Sequence, residues 1–386
     1  MDFALTAEEA AFRNLARDFA RDEILPNIAQ WERSGEFPKA TLRKMGQLGF
    51  FGSVIPEDFG GTGAGYVAHA LLVEEITRAH FCLSTAFNVQ GASVPRAILD
   101  WGTPEQKARL VPGMVKGELI GCHAITEPNA GSDVAGIETT AIRDGDTYVL
   151  NGTKLWITYA PVADIALVFA KTDPTERHRG ISAFLVERDT PGLTIHKMNA
   201  TTGSNCLPTG EMVFEDCRVP AANMLGVEGQ GFKICMKMLD SNRVTIPARA
   251  VGNAQACVDE AVKYAQQRKA FGVPIGTFQM IKQDIAEMIS AVEASRWLVY
   301  RLAWMMDQGL PCRRDASIAK LFAAETGHQV ASKAQFIHGA YGFSPEYPIS
   351  RHLVESQFLR VAEGTSNIHR IIIADDALGY KKANRE

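Results

Sequence analysis

The sequence lacks the features that would assign it to a membrane, a nucleic acid or a secreted compartment. No run approaches eighteen uninterrupted apolar residues, and the start MDFALTAEEAAF has no basic segment ahead of an apolar core. The 40 basic and 44 acidic residues give a formal net charge of −4, too mild to indicate a nucleic-acid or membrane surface. We therefore expect a cytoplasmic protein that binds neither nucleic acid nor membrane.

Familiar catalytic signatures are also missing. The seven cysteines form an odd set without Cys-x-x-Cys spacing, which indicates neither a disulfide framework nor a zinc or other metal site. There is no GxGxxG motif after a predicted strand, no GxxxxGK followed by Ser or Thr, no HExxH and no GxSxG. These absences exclude the common signatures of nicotinamide, nucleotide-triphosphate, zinc and α/β-hydrolase enzymes, so any chemistry needs another cofactor.

What the sequence does contain is three regions of different periodicity. With 386 residues, of which 46% are hydrophobic, the chain is long enough for two or three globular domains. Helical spacing over residues 1–120 gives way to short β-prone segments over 121–230 and returns over 231–386. We therefore predict a mainly α protein with a central β domain, the latter an antiparallel sandwich or barrel.

Local signals place several elements. Thr6 and Glu9 form a possible capping box for a first helix that should stop near Pro26. In TYVLNGTKLWITYA, Asn151 and Gly152 lie between β-prone runs and predict a hairpin turn. Further helices are predicted over about 38–49, 66–79, 104–116, 231–267, 278–308 and 313–338. Further strands are predicted in ADIALVFAK, GISAFLVER, GLTIHKM and GEMVFEDCRV.

A polar loop between the helical and β-prone regions is the first candidate ligand site. CHAITEPNAGSDVAG combines glycines with Thr126, Glu127, Asn129, Ser132 and Asp133. Glycine allows close backbone approach, and the polar groups could hold a polar ring or a phosphate. A plain capped loop explains the same residues, although a domain boundary is where ligand clefts tend to form.

Four further stretches are each open to two interpretations. Trp156 and Thr158 are two apart on a predicted strand, hence on one face, either as half-buried sheet residues or as contacts to a flat cofactor. Arg268 ends a helix, where it either satisfies the helix dipole or meets a pyrophosphate. Gly339 follows another helix, as a glycine C-cap or a backbone cofactor site. Glu363 in VAEGTSNIHR is either a helix-start residue or a base held in a dry site.

These stretches, in this order, resemble signatures of the flavin-dependent acyl-CoA dehydrogenase family. The motifs AITEPNAGSD, LNGTKLWIT, RKAFGVPIGTFQ and AEGTSNI carry the resemblance, which runs from near Phe3 to KKANR. It implies the acyl-CoA dehydrogenase fold, with a helical domain, a β domain and a C-terminal four-helix bundle around FAD, assembled as a homotetramer. It also implies an acyl-CoA substrate and an electron-transferring flavoprotein as partner.

The resemblance also implies roles for individual residues. The cofactor-binding residues it implies are His123, Ile125, Thr126, Ser132, Trp156, Thr158, Arg268, Phe271, Gln279, Gln335, Gly339, Thr365 and Asn367. Among them Thr126, Trp156 and Thr158 are expected at the isoalloxazine. Arg268, Phe271 and Gln279 are expected at the diphosphate or adenosine, in a site of a neighbouring subunit that Gln335, Gly339, Thr365 and Asn367 complete. The substrate-binding residues it implies are Asn88, Ser132, Asp240 and Arg243.

Glu363 and Gly364 are the catalytic positions that the resemblance implies. Desaturation removes an α-proton and a β-hydride, which requires a desolvated carboxylate and donors that hold the thioester oxygen. Family members of the isovaleryl type place the base at the position of Asn242 instead. Because that position is an amide in this chain, we predict that Glu363 is the base.

The acyl group is harder to predict. GAYGFSPEYP and LGYKKANR look more like the subgroup that handles glutaryl-CoA without decarboxylation, or alicyclic carboxyl-CoA esters, while Asn205 and Leu207 depart from a family loop pattern. The segment FCLSTAFNVQGAS, similar to the one that lines the acyl pocket, supplies no arginine for a glutaryl carboxylate. Since an unpaired buried carboxylate would be costly, we expect a neutral short, branched or alicyclic acyl group.

Two other classes of function remain as alternatives. One is a dehydrogenase of acyl or aminoacyl thioesters carried by a carrier protein, which Glu363 together with Asn242 disfavours. The other is a non-catalytic flavin scaffold that binds DNA, which the net charge of −4 disfavours.

Overall fold

The computed structural model describes residues 4–198 and 203–380, and its N-terminal region is helical. The α-helices of this region are α1 (Ala7–Phe19), α2 (Ile28–Ser34), α3 (Lys39–Gln47), α4 (Gly65–Ala79), α5 (Phe81–Ala86), α6 (Val94–Trp101) and α7 (Pro104–Val115). The predicted capping box is confirmed, since Glu9 N donates to Thr6 Oγ1 at 3.2 Å and Thr6 N donates to Glu9 Oε2 at 2.7 Å.

A buried helical segment that the sequence pattern did not predict follows α4. After α5 the chain continues as a π-helical stretch over Phe87–Ser93, and α6 begins at Val94. Every residue from Phe81 to Pro95 is buried. A helix that is buried on all sides carries no amphipathic period, which explains why the pattern missed it. Short π-helical stretches are frequent at functional sites, and this one carries Asn88.

The middle region of the described chain forms an eight-stranded sheet. Its strands are β1 (Gly121–Ala124), β2 (Thr140–Asp144), β3 (Thr147–Thr158), β4 (Ile165–Lys171), β5 (Ile181–Glu187), β6 (Leu193–Lys197), β7 (Thr209–Pro220) and β8 (Met224–Leu225). The order is β6-β7-β3-β2-β4-β5-β8, with β1 paired to β4. Because β1 and β2 both run parallel to β4, the sheet is mixed and not purely antiparallel as predicted.

The predicted hairpin turn at Asn151 and Gly152 is wrong. Strand β3 continues through both residues, and the turn lies earlier, at Gly145 between β2 and β3. Gly152 has a φ of 143°, and the register with β7 shifts between Leu150 and Gly152, so the Asn-Gly pair forms a β-bulge. A Cβ on Gly152 would lie 2.6 Å from Thr139 Oγ1, which is why glycine occupies the bulge.

The C-terminal region is helical and shares its core with the N-terminal one. Its elements are α8 (Gly231–Ser241), α9 (Thr245–Gln267), β9 (Lys269–Ala270), β10 (Val273–Pro274), α10 (Gln279–Asp307), α11 (Arg313–His338), α12 (Ile349–Val361) and α13 (Ser366–Leu378). Helix α9 packs against α10, α11 and α12, and α4 packs on α9 and α10. Close approach of α9 to α4 requires Gly252, where a Cβ would lie 2.4 Å from the Glu74 carbonyl oxygen. In residues 4–198 and 203–380 no helix is both long and apolar enough to cross a membrane.

Two of the seven thiols lie together with a histidine. His80, Cys82 and Cys206 bring their Nε2 or Nδ1 and Sγ atoms within 4.8 Å of one another, and Glu32 Oε1 lies 2.9 Å from His80 Nε2. Burial lowers the pKa of His80 while its bonds to Cys206 and Glu32 raise it, for a net rise to about 9. The two cysteines are far apart in sequence, so no spacing motif could have indicated this cluster.

Candidate active site

Glu363 lies in a strained turn between α12 and α13. Its φ is 55°, a left-handed conformation that residues with a Cβ rarely adopt, and Gly364 follows with a φ of 91°. The N-cap of α13 is Thr365, whose Oγ1 accepts from Ile368 N at 3.3 Å. Lys320 of α11 donates to the Gly364 carbonyl at 2.7 Å. The helix cap and this buried lysine hold the turn, and the helix-start role belongs to Thr365, not to Glu363.

The carboxylate of Glu363 lies between two amides. Asn88 Nδ2 is 3.3 Å and Asn242 Nδ2 is 3.5 Å from Oε1, so both are long contacts to the same oxygen. Although the residue as a whole is partly exposed, Oε2 is closed to solvent and has no partner among the described residues. Desolvation raises the pKa of Glu363 from 4.5 to about 7. Such a carboxylate can accept a proton near neutral pH through its free oxygen.

Asp240 lies in the last turn of α8 and Arg243 follows just after it. Asn242, between them, reaches the Glu363 carboxylate. Arg243 Nε donates to Asp240 Oδ1 at 2.8 Å, so the two predicted substrate residues pair with each other. Arg243 is also close enough to Glu363 to lower the pKa of that carboxyl, against the larger effect of burial. Asn242, the alternative position for a base, therefore shares its surroundings with Glu363 but supplies an amide.

The segment FCLSTAFNVQGAS, which has no arginine of its own, meets a cation from another helix. Arg249 of α9 is 1% exposed and donates from Nε to Ser84 Oγ at 3.0 Å and from Nη2 to Thr85 Oγ1 at 2.7 Å. Its Nη1 lies 3.4 Å from Asn88 Oδ1. Arg249 belongs to α9, which is distant from this segment in sequence. The available signal was a lone arginine inside TIPARAVGNAQA, a stretch whose other residues are all uncharged.

The loop after β1 is joined to strand β3. Leu155 N donates to the Thr126 carbonyl at 2.9 Å, and Lys154 forms a buried ion pair with Glu127 at 2.6 Å. The Lys154 ammonium also lies 3.3 Å from the Ile125 carbonyl. The ring of His123, on β1, has its Nδ1 atom 3.2 Å from Ser93 Oγ. These contacts bring the predicted flavin residues of the loop next to those of the strand. Ser132, in contrast, is exposed.

Trp156 lies on a second bulge of β3. Its φ is 62°, and the register with β7 shifts between Lys154 and Ile157. Because the bulge interrupts simple alternation, spacing alone does not place Trp156 and Thr158 on one face, and their shared face stays a prediction. The indole is 54% exposed next to the Thr126 loop, which leaves one face free for a planar ring.

The residues predicted at the diphosphate and adenosine lie on the outer surface. Phe271, in the turn between β9 and β10, has a φ of 51° and is 95% exposed. Arg268 caps α9, with its guanidinium 5.6 Å from the Tyr341 ring centroid, and Gln279 opens α10. Within the described residues no carboxylate lies within 4.0 Å of Arg268, so its charge is available to a phosphate.

Gln335 and Gly339 lie beside this surface, whereas Thr365 and Asn367 do not. Gln335 Nε2 donates to the Gly342 carbonyl in the turn that carries Tyr341. Gly364, however, contacts α11 at Lys320, and Gln335 lies roughly 22 Å further along that helix at 1.5 Å per residue. Within a single chain these four residues do not lie together, and their completing one site with a neighbouring subunit stays a prediction.

Backbone strain marks several of the same residues. In the described part of the chain, the residues other than glycine with left-handed φ are Trp156, Tyr159, Asp216, Phe271 and Glu363. Three of them are predicted site residues, and strained conformations concentrate at functional sites. The open indole of Trp156 and the hydroxyl groups of Thr126 and Thr158 fit the ring of FAD, and Arg268, a cation without a carboxylate partner among the described residues, fits a phosphate of that cofactor.

Family models match almost the whole chain. The acyl-CoA dehydrogenase N-terminal domain matches residues 6–118, the middle domain 122–217 and the C-terminal domain 229–378. The mouse mitochondrial short-chain specific acyl-CoA dehydrogenase is 40% identical over 95% of this chain and 89% of its own length.

Solved structures match equally well. A glutaryl-coenzyme A dehydrogenase in complex with glutaryl-CoA is 40% identical, with a TM-score of 0.96 over 100% of this chain and 99% of the other. A chain from the structure described as the electron transferring flavoprotein of Acidaminococcus fermentans is 35% identical, with a TM-score of 0.95 over 98% of this chain and 100% of the other.

Proposed function

This chain belongs to the acyl-CoA dehydrogenase family of FAD-dependent oxidoreductases, and from that premise we propose that it desaturates the α,β bond of an acyl-CoA thioester. The observation that carries the proposal is the free, buried Oε2 of Glu363 on a carboxylate whose pKa is raised to about 7.

Glu363 takes the α-proton of the substrate. Asn88 and Asn242 donate to Oε1 and orient the carboxylate, so the new O–H bond forms at Oε2. The electron pair of the α C–H bond becomes the second bond between the α and β carbons. The Glu363 N–H, turned by the left-handed φ, holds the thioester oxygen and makes the α-proton more acidic. When bound, FAD supplies the acceptor for the β-hydride.

The cofactor is held by groups that belong to two chains. Thr126, Trp156 and Thr158, with His123 and Ile125 behind them, hold the ring in their own subunit. Thr365 and Asn367 lie next to Glu363, and we assign them to the same subunit's site. Arg268, Phe271, Gln279, Gln335 and Gly339 then complete the site of a neighbouring subunit in a homotetramer. The exposed Phe271 and Phe336 support such an assembly, since they are 95% and 80% exposed in one chain.

The thioester carrier and the electron acceptor follow from other residues and from one comparison. Asp240, Arg243 and Ser132 are the residues that we assign to the CoA moiety. A carrier-protein thioester is the second candidate, and the amide at Asn242 argues against the arrangement of the base that it would require. The similarity to a chain in an electron transferring flavoprotein structure supports such a flavoprotein as the partner.

Anaerobic bleaching of the flavin absorbance by a panel of saturated CoA esters tests the proposal. We expect Glu363→Gln to slow bleaching by about 100- to 10,000-fold while FAD content is unchanged, since that is the contribution of a positioned base. Glu346→Gln, an exposed carboxylate in the same region, is the matched control. Bleaching that survives in Glu363→Gln would move the base elsewhere, and bleaching only by carrier-protein thioesters would favour the second candidate.

A further inference from the structure

Four side chains with metal-binding groups meet in a buried cluster that the proposed reaction does not use. His80, Cys82 and Cys206 are at most 1% exposed, and a ring nitrogen and the two Sγ atoms lie within 4.8 Å of one another. The side chain of Glu32 is 14% exposed, and its Oε1 lies 2.9 Å from His80 Nε2. Imidazole, thiolate and carboxylate groups are the ligands that zinc takes in proteins. We call these four residues the Cys-His-Glu cluster.

The measured separations in the Cys-His-Glu cluster are close to the edges of a tetrahedron around zinc. Cys206 Sγ lies 3.9 Å from His80 Nε2 and 3.5 Å from Glu32 Oε1, and those two atoms are 2.9 Å apart. With Zn–S bonds of about 2.3 Å and Zn–N or Zn–O bonds of about 2.0–2.2 Å, tetrahedral ligand atoms lie roughly 3.3–3.8 Å apart. The observed separations differ from these values by roughly 0.5 Å at most. Small side-chain rotations are therefore enough to place all three atoms around one ion.

Contacts outside the Cys-His-Glu cluster fix the direction of its ligands. Glu32 Oε2 accepts from Asn205 N at 2.9 Å, which leaves Oε1 for His80. Asn205 Nδ2 also donates to the Glu32 carbonyl at 3.2 Å, and Tyr159 OH donates to the Cys82 carbonyl at 3.4 Å. Partners of this kind orient metal ligands and strengthen metal binding. The ligand atoms thus converge in the folded chain, as a metal site requires.

The Cys-His-Glu cluster connects parts of the chain that are far apart in sequence. Glu32 lies in α2, Cys82 in α5 and Cys206 in the loop before β7, 126 residues after His80. Helix α5 begins the segment FCLSTAFNVQGAS, which continues into the π-helical stretch with Asn88. An ion bound by the cluster would therefore fix the start of this segment to α2 and to the sheet region.

We propose that the Cys-His-Glu cluster binds one Zn²⁺ ion as a structural site. Protein side chains supply all four ligands of a tetrahedral ion and leave no position open for water or substrate, which is typical of structural and not of catalytic zinc. Two thiolates with an imidazole in a tetrahedral arrangement favour zinc over magnesium or calcium. Each thiol loses its proton to water as its Zn–S bond forms, and no oxidation state changes.

This proposal is independent of the proposed desaturation. It goes against the absence of a metal site expected from the sequence, because that expectation depended on cysteines close together along the chain. The cluster forms only when the loop that carries Cys206 packs against α2 and α5.

The zinc content and zinc ligands of the FAD-loaded protein are the first test. The protein is purified without a metal-affinity step, incubated with zinc chloride and freed of excess zinc by gel filtration. We expect about one Zn²⁺ per chain by mass spectrometry of the elements. X-ray absorption at the zinc edge should show two sulfur ligands at about 2.3 Å and two nitrogen or oxygen ligands at about 2.0–2.2 Å. Protein without zinc, or zinc bound by nitrogen and oxygen alone, would overturn the proposal.

Cys82→Ser and Cys206→Ser test which residues hold the ion. Each should weaken zinc binding by at least about 100-fold in competition with a chelator, because groups that only orient a ligand already contribute about 10- to 100-fold. The matched control, Cys217→Ser, removes another buried thiol, on β7 outside the cluster, and should leave zinc affinity unchanged. FAD content and circular dichroism show whether each variant is folded.

The remaining outcomes also decide the proposal. Equal zinc affinity in all three variants would place the ion elsewhere and overturn it. A disulfide between Cys82 and Cys206 in the isolated protein, detected by mass spectrometry without reduction, would overturn it as well, because oxidised sulfur atoms are no longer thiolate ligands. If the cluster variants do not fold, the X-ray absorption spectrum of the wild type still identifies the ligands. Removal of zinc by a chelator should lower the Tm of the wild type, and an unchanged Tm would contradict a structural role.

Discussion

The two halves of the candidate site differ in how much of each a single chain supplies. Around Glu363 the contacts come from Asn88 of the π-helical stretch, from Asn242 just after α8 and from Lys320 of α11 in the same chain, and the Oε2 atom of Glu363 is closed to solvent. Around Arg268 the chain instead presents an open surface, with Phe271 almost fully exposed. Acid–base chemistry depends on a dry, fixed carboxylate, which one core can build. A large cofactor can instead be bound by two chains, so one chain alone can leave part of that binding site open.

Shortening the side chain of Glu363 by one methylene is the first test, and it concerns the half of the candidate site around that residue. Glu363→Asp keeps the carboxylate but withdraws it from the α-carbon, and a misplacement of about 1 Å costs about 100-fold in rate. We expect flavin reduction to slow by about that factor in stopped-flow experiments while FAD content is unchanged. Loss of FAD in this variant would contradict the separation of the two halves.

A charge introduced at Phe271 tests the other half of the candidate site, the exposed surface around Arg268. Phe271→Asp places a carboxylate beside the proposed phosphate site and in the proposed contact between chains, so we expect FAD to bind about 10- to 100-fold more weakly and the tetramer to dissociate. Gel filtration with light scattering and flavin fluorescence measure both effects. Leu25→Asp, at another exposed apolar residue, is the control. A tetramer that keeps FAD in Phe271→Asp would contradict a role for Phe271 in both the phosphate site and the contact between chains.

The pH dependence of flavin reduction depends on the half of the candidate site around Glu363 and not on the surface around Arg268. Only the ionised carboxylate accepts a proton, so the rate should rise with pH and level off above about 7, the pKa that desolvation gives Glu363. Asn88 lowers this pKa by donating to the carboxylate, and Asn88→Ala should therefore move the midpoint to higher pH by roughly 0.5 to 1 unit. A midpoint that does not move would mean that Asn88 does not bind the ionised form.

The smallest expected effect is on stability. The folded-state pKa of Glu363 lies above its unfolded value of 4.5, so the folded protein loses stability as the pH rises from about 4.5 through about 7. Glu363→Gln removes that loss, and with a discount for partial exposure we expect it to stabilise the protein by about 1 kcal/mol at pH 8 and by almost nothing at pH 4. Urea unfolding at the two pH values measures the difference, and equal effects at both would argue against an ionised, desolvated Glu363.

Sequence patterns were most accurate where the signal is local. The capping box at Thr6 and the helices of the C-terminal region follow from short-range hydrogen bonds and amphipathic spacing. The pattern failed at Gly152, where a turn dipeptide serves a bulge, and over Phe81–Pro95, where full burial removes the periodicity. The proposed domain boundaries and the roles of individual site residues stay predictions.

The sequence by itself determined the family, the order of helical and β regions and the identity of Glu363 as the candidate base, because those depend on local motifs that keep their meaning wherever the chain folds. Only the tertiary structure decided what surrounds that base. Arg249 reaches Asn88 from 161 residues away, and Lys320 reaches the Glu363–Gly364 turn from another helix. Such contacts depend on how helices pack, and packing brings together residues whose separation in sequence carries no periodic signal.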